Sequence, residues 1–310
     1  LPYIKKPFYA HEPTAAYALL MRQMKLSLKE AQRYVDRGRV FYEGFPVAEK
    51  NAILDGPYDV VVYEPVSQGL MPFYENDDFA LFDKPSGVLV HPTSRKTPYS
   101  LLDEILFFLG KEAKIVHRLD RETSGLILVA KHKKSEVFLK QCFEKRQIEK
   151  SYLALVRGKI TAPFEVDAPL LNNQDYRDIK LRMVVNQEGK PCLTRFVPLT
   201  YHADIDATLI EAFPVTGRQH QIRAHLFHVK HPILGDPLYG VPTHISEAYL
   251  DELLSDKERM HWMGAPRLLL HAHALSFAYE DQAYTFTSPQ ATGEVFYRLA
   301  KEKHAICSVK

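Results

Sequence analysis

Apolar residues recur at helical spacing over 15–24, where Tyr17, Leu20 and Met24 share one side. Ser27-Leu28-Lys29-Glu30 has the form of a capping box, so a second helix is expected to start there and to stop at Gly38. Residues 40–47 and 58–63 then read as short strands. Two prolines and a glycine punctuate 64–73, as in a linker. Beyond it, strand and helix signals mix. Residues 79–82 and 88–90 are strand-like and flank a Pro85-Ser86-Gly87 turn. Residues 100–109 predict an amphipathic helix with Leu102, Ile105, Leu106 and Leu109 inward and Gly110 as its stop. The continuous apolar run 126–130 reads as a buried strand. Residues 133–145 predict a basic amphipathic helix with Val137, Phe138 and Cys142 inward, and 152–156, 208–213 and 269–277 are further strands. This order lacks regular strand–helix alternation, so the expected class is α+β with a largely antiparallel sheet. The implied division is a small α+β domain over 1–64, a linker over 65–73 and a larger domain over 74–310.

Composition changes this picture little. The chain has 310 residues, 46% of them hydrophobic, which is ample for one or two cores. Its net charge of +2 neither demands nor excludes a polyanionic partner, but the charge is uneven. Residues 22–39 hold Arg22, Lys25, Lys29, Arg33, Arg37 and Arg39 against Glu30 and Asp36. Within the second predicted helix, Lys29, Arg33 and Arg37 stand four apart and make one basic face. Residues 131–150 form a second basic stretch. Such stripes on a near-neutral chain fit an RNA binder with directed faces, although each alone also fits a solvated helix. Cys142, Cys192 and Cys307 are widely spaced and no C-x-x-C occurs, which argues against a disulfide framework or a zinc ribbon. No signal peptide and no membrane-length apolar run is visible, so a reducing cytoplasm is the simplest setting. The chain opens on Leu1, and a few native residues are expected before it.

The densest chemistry lies at 116–130, Val-His-Arg-Leu-Asp-Arg-Glu-Thr-Ser-Gly-Leu-Ile-Leu-Val-Ala. One carboxylate, Asp120, stands between Arg118 and Arg121, ahead of a polar turn and a buried strand. The arginines are expected to keep it ionised, and an ionised, oriented carboxylate can act as nucleophile, base or metal ligand. His220, His225, His228 and His231 fall close together, but no paired H-x-x-x-H with a carboxylate accompanies them, and Pro232 breaks the run. There is no G-x-G-x-x-G, no Walker loop and no H-E-x-x-H, so no cofactor and no metal are expected.

The 116–130 segment resembles the active-site motif of the RluA family of RNA pseudouridine synthases. Further blocks match that family in order: Lys84-Pro85-Ser86-Gly87 with His91-Pro92, then 150–156, then Thr216-Gly217-Arg218-Gln219-His220-Gln221-Ile222-Arg223, then 231–240, and finally Arg267-Leu268-Leu269-Leu270-His271-Ala272. The resemblance implies a pseudouridine synthase fold, with a cleft across a central mixed sheet. It implies that Asp120 is the essential catalytic residue, that Tyr152 lies against the target base, and that Arg218, opening a helix with Gly217, pairs with Asp120. The target uridine must leave its stack, and Arg118 is the candidate to fill the space. His117 and Arg121 complete the expected substrate contacts at this site. His220, Gln221 and Arg223 are expected to be structural or RNA-backbone contacts and not part of the chemistry. The 1–64 region resembles the S-four-type ribosomal RNA-binding domain, with Lys29, Arg33 and Arg37 as its RNA contacts. It departs from that type in two turns, Glu43-Gly44 for Asn-Gly and Gly56-Pro57-Tyr58-Asp59 for Gly-Asp. The partner implied is RNA, ribosomal RNA before transfer RNA, acted on by a monomer. Two other readings compete: a noncatalytic RNA binder on the same scaffold, which the presence of Asp120, Tyr152 and Arg218 opposes, and a metal-dependent hydrolase using the histidine cluster.

Overall fold

The computed structural model describes all residues except Tyr176, Arg177, Ala291 and 308–310, and the side chains of residues 303–307 also lie outside the described set. The described residues form two compact units, Leu1–Gln68 with His91–Phe107 and Gly69–Val90 with Phe108–Lys310.

The first unit carries strands β1 (Tyr3–Ala15), β2 (Val40–Tyr42), β3 (Phe45–Pro46) and β4 (Ile53–Tyr63) with helices α1 (Ala16–Met24) and α2 (Leu28–Asp36). Its antiparallel sheet runs β1-β4-β2-β3, over a core that includes Leu19, Leu20, Val35, Leu54 and Val60. The long first strand was absent from the sequence expectation. Pro7 and Pro13 interrupt its pattern, and proline is tolerated there because β1 is an edge strand. The capping box at Ser27 forms as expected, with Glu30 accepting from the Ser27 amide at 2.9 Å. Glu43 and Gly44 both take positive φ, 50° and 87°, as a two-residue hairpin turn between right-twisted strands requires.

The segment 91–107 packs with this first unit, where the sequence division had left it with the larger domain. Its Arg95 guanidinium donates to the carbonyls of Arg37 and Gly38 at the end of α2. Helix α3 (Leu101–Leu109) buries Ile105 as its spacing predicts, but its other buried residues are Leu101, Asp103 and Glu104 in place of Leu102, Leu106 and Leu109. The two acids satisfy the chain at 66–68: Asp103 accepts from the Val66 amide at 3.3 Å, and Glu104 accepts from the Gln68 amide and the Ser67 hydroxyl, each at 2.6 Å. The predicted linker is therefore pinned at its start.

In the second unit, strands β5 (Tyr74–Glu75), β6 (Phe79–Lys84), β7 (Lys114–Ile115), β8 (Ser124–Ala130), β9 (Glu149–Arg157), β10 (Phe164–Asp167), β11 (Leu170–Asn172), β12 (Met183–Val185), β13 (Leu193–His202), β14 (Ala207–Pro214), β15 (Leu270–Tyr279) and β16 (Gln282–Thr287) alternate with α4 (Lys133–Glu144), α5 (Gln221–His228), α6 (Thr243–Leu250), α7 (Asp256–Met263) and α8 (Thr292–Cys307). The main sheet runs β10-β13-β14-β9-β15-β8-β6-β5, with β16 on β15 and β7 on β8, and β11 pairs with β12 separately. All its pairings are antiparallel except β8 with β15. This is the mixed, largely antiparallel α+β sheet that the sequence predicts. All seven residues of β8 are buried, because the strand is covered on both faces.

Gly125 makes that parallel pairing possible. Its φ is 110°, and a Cβ there would lie 2.3 Å from the Ala272 carbonyl oxygen. Residues 88–90 form no strand, because Val88 is spent on a loop described below. Helix α4 turns Leu139 inward with Cys142 and leaves Val137 exposed, the reverse of the expected assignment for Val137. Helix α5 begins at Gln221, four residues later than predicted, because His220 adopts the left-handed conformation (φ 53°) as its N-cap. The apolar pattern gives no expectation of α6, α7 or α8. Helix α7 is set largely by its ends, a Ser255–Glu258 capping box and Gly264 at φ 81°.

Candidate active site

The loop before β8 is held from behind. Lys84, fully buried at the end of β6, donates to the carbonyls of Pro85 (2.8 Å), Val88 (2.8 Å) and Arg121 (3.0 Å). Ser86 Oγ donates to the Glu122 carbonyl at 2.6 Å, and the Gly87 amide to the Arg121 carbonyl at 2.9 Å. The buried Glu122 carboxylate accepts from Tyr249 Oη of α6 at 2.7 Å and from Arg259 of α7 at 3.0 Å. Burial pushes the Lys84 ammonium down to about 7, with Glu122 and Asp120 opposing that shift. The Lys-Pro-Ser-Gly turn and the Asp120 loop are thus one hydrogen-bonded body.

At the front of that body, Asp120 Oδ2 accepts from Arg223 Nη1 at 3.1 Å and lies 3.6 Å from His220 Nε2. The Asp120 side chain is 23% exposed, against 3% for Arg223. Burial pushes the Asp120 carboxyl up, but His220, Arg223 and, less, Arg118 outweigh it and hold it below its ordinary value. His220 is itself lowered to about 4, by burial first and Arg223 next. Near neutrality its ring is uncharged, so Arg223 is the standing positive charge beside the carboxylate.

This corrects the pairing expected of Arg218. With the helix starting at Gln221, Arg223 falls in its first turn and faces Asp120. Arg218 remains in the preceding loop with its side chain exposed, and its amide donates to Gln221 Oε1 at 3.0 Å. Gln221 also accepts from Thr216 Oγ1 and donates to Leu193 O and Thr194 Oγ1, so it shapes the 216–218 loop. An arginine in the buried first turns of a helix must have a partner, and that was the available signal for Arg223.

Asp120 opens into a cavity of about 480 Å³ whose wall includes Arg118, Arg146, Lys150, Tyr152 and Arg218. Tyr152 stands on β9 between β14 and β15, opposite Ala212 and Ala272, and the two small neighbours leave room for its ring. Burial first, then the charge of Asp120, raise its phenol above the ordinary value, so it stays protonated. Burial lowers Lys150, whose Nζ lies 3.7 Å from where a Cβ on Gly217 would stand. Lys150 and Arg146 were not singled out as site residues in the sequence.

Two expected contacts serve other purposes. His117 Nε2 accepts from the Leu128 amide at 2.9 Å and its ring stacks on Phe143 at 4.6 Å, so it offers the cavity no charged group. Arg121 leaves the cavity wall, donating to the Gly87 carbonyl at 3.2 Å and facing Glu252 at 3.5 Å. Lys29, Arg33 and Arg37 are exposed in the first unit.

Among the described residues no group of three His, Cys, Asp or Glu is placed to hold a metal ion. The clustered histidines serve separate purposes. His225 bonds Thr194 Oγ1 and Ala168 O, each at 2.9 Å, and His231 bonds Arg157 O at 2.7 Å. Burial is the first cause that lowers His117 to about 3, His220 to about 4 and His271 to about 3, and it lowers His225 as well. Unfolded histidine titrates near 6.5, so between about pH 6.5 and 4 the unfolded chain binds protons that the folded chain refuses. Stability is therefore full above that window and lost as pH falls through it. Denaturant unfolding at pH 7, 6 and 5 should show the midpoint falling, with proton uptake on unfolding approaching about four per molecule from these rings. A midpoint flat from pH 7 to 5 would contradict the neutral assignment.

An ionised carboxylate in a cavity with four cationic side chains besides Arg223 on its wall suits chemistry on an anionic substrate. A family model described as RNA pseudouridylate synthase matches residues 78–228. An uncharacterized RNA pseudouridine synthase of Helicobacter pylori (strain J99) is 36% identical over 290 residues, 93% of this chain and 96% of the relative. The ribosomal large subunit pseudouridine synthase C of Haemophilus ducreyi is 37% identical over 214 residues, 68% of this chain and 62% of the relative. Among solved structures, human RNA pseudouridylate synthase domain containing 1 aligns with a TM-score of 0.57 at 26% identity, covering 73% of this chain and 86% of that one. The chain belongs to the RNA pseudouridine synthases of the RluA family, isomerases that convert uridine to pseudouridine in RNA.

Proposed function

We propose that this enzyme isomerises uridines of large-subunit ribosomal RNA, with Asp120 as the group that does the chemistry. The observation that carries the reading is the Asp120 carboxylate, paired by Arg223 on one oxygen, in a cavity whose wall holds four other cationic side chains and one other acid, Glu144. The reaction breaks the N1–C1′ bond, turns the uracil, forms a C5–C1′ bond, releases the C5 proton and leaves N1 protonated. It needs no electron carrier and consumes no water. An ionised Asp120 can attack the ring or the sugar, or remove a sugar proton. Tyr152, kept as a phenol, supplies a ring face for the base. Arg118, Arg146, Lys150 and Arg218 supply cations for phosphates and for an RNA strand whose target base has left its stack. The ribosomal assignment draws on relatives whose names specify the large ribosomal subunit.

Tritium release from RNA carrying C5-labelled uridine tests the reading, with unmodified ribosomal and transfer RNA compared and Asp120→Asn as control. Release from ribosomal RNA by the parent alone supports it. Release by Asp120→Asn would remove Asp120 from the chemistry, and release from transfer RNA only would redirect the substrate.

The first unit, read as an S-four-type RNA-binding module, should add electrostatic affinity through Lys29, Arg33 and Arg37. Replacing all three with alanine should lower the slope of log affinity against log salt by about 2, since each phosphate that a cation neutralises adds roughly 0.7–0.9 to it. An unchanged slope would take this face out of RNA binding.

A further inference from the structure

Arg223 is engaged on three of its nitrogens. Nε donates to Asp236 Oδ2 and Nη2 to Asp236 Oδ1, each at 2.8 Å, while Nη1 alone reaches Asp120 Oδ2 at 3.1 Å. The Asp236 side chain is 0% exposed and its Oδ1 also accepts from the amides of Leu238 (2.8 Å) and Tyr239 (3.0 Å). The carboxylate is thereby fixed by backbone on one edge and by the guanidinium fork on the other. The Tyr239 ring covers the guanidinium, with the Arg223 Cζ 5.2 Å from the ring centroid. Gly235 permits this loop: at φ 77°, a Cβ would lie 1.7 Å from the Arg267 carbonyl oxygen. The fully buried Asp236 side chain does not line the cavity, so it acts on the site only through Arg223.

We infer that Asp236 is a positioning residue for catalysis, orienting Arg223 so that one N–H, and only one, is presented to Asp120. The inference rests on Asp120 being the catalytic group. A bidentate fork leaves a planar guanidinium no rotational freedom, so the position of Nη1 is decided by Asp236 and not by Asp120. Asp236 also shares the cation. Arg223 stands between two carboxylates, and Asp120 therefore keeps Oδ1 outside the pair. A monodentate lysine could match the charge but could not hold both carboxylates in this geometry.

The test is steady-state tritium release by Asp236→Asn, Arg223→Gln, Arg223→Lys and the Asp236→Asn/Arg223→Gln double variant, with Asp120→Asn alongside. Asp236→Asn should lower kcat by about 100-fold, the scale of a misplacement of roughly 1 Å, while KM for RNA stays within about threefold. In the Arg223→Gln background the same change should cost less than about threefold, because its route to Asp120 is already gone. If Asp236→Asn fails to fold, Arg223→Lys decides: it keeps the charge, loses the fork, and should lose kcat to a similar degree. A folded Asp236→Asn with parental kcat, losses that multiply in the double variant, or an active Arg223→Lys would each overturn the inference. Activity retained by Asp120→Asn would instead strike the reading beneath it. An inactive Asp120→Asn beside a normal Asp236→Asn would strike the positioning role alone.

Discussion

Asp120→Asn should abolish tritium release, by about four orders of magnitude or more, the scale of losing a nucleophile or its base. The amide is nearly the same size, but it carries no negative charge and cannot attack or take a proton at neutral pH. The fold should survive the change. Arg223 keeps both hydrogen bonds to Asp236, so no buried cation is stranded. The loop itself is held through Lys84, Ser86 and Glu122, none of which bonds the Asp120 side chain. Thermal unfolding within a few degrees of the parent, retained RNA binding and no release would be the full expected result. A collapse in stability would show that Asp120 is structural first.

Arg223→Gln should have the next largest effect, and on two observables. It removes the cation between Asp120 and Asp236 and strands Asp236, whose side chain is fully buried. Breaking a buried pair from one side costs about 3–5 kcal/mol, so the unfolding midpoint should fall clearly. The chemical effect follows from Asp120. Burial raises its carboxyl, and with Arg223 gone its main opponent near neutrality is removed, because His220 is uncharged there. The folded value must move up, so a larger fraction is protonated at neutral pH. The acid limb of the pH–rate profile should shift to higher pH, and kcat at neutrality should drop about 100-fold or more, as when a charge-stabilising donor is removed. An unmoved acid limb in a folded variant would mean that Arg223 does not hold Asp120 ionised. Arg218→Gln is the contrast: exposed and outside the pair, it should alter RNA affinity and leave the acid limb in place.

Much of the candidate site was legible because local order encodes it. The apolar run behind Asp120 could only be a buried strand, so a carboxylate at its mouth is presented by a rigid element. Collinear motif blocks carried the fold and family. The misreadings share one cause, which is that the position of a turn decides which side chain faces where. Moving the start of α5 from Gly217 to Gln221 exchanges Arg218 for Arg223 as the partner of Asp120. The same sensitivity sends Arg121 outward while Asp120 faces in. In α3, spacing marked Leu102, Ile105, Leu106 and Leu109 as the buried face, yet Asp103 and Glu104 are enclosed as fully as Ile105. They are enclosed because unpaired amides at Val66 and Gln68 need acceptors, and no periodicity records that demand.

By itself, the sequence determined the α+β class, most strands of the main sheet and the capping box that starts α2, and it marked Asp120 as the candidate carboxylate. These depend on residues near one another in the chain, through side-chain period, capping and turn chemistry. Only the tertiary structure decided that segment 91–107 packs with the first unit and that His117 is a backbone acceptor. It alone decided that Arg223 sits between Asp120 and Asp236. Those pairings join groups up to 103 positions apart in sequence. Buried charges choose partners by distance and desolvation in the folded chain, and that choice is made only once the strands have brought them together.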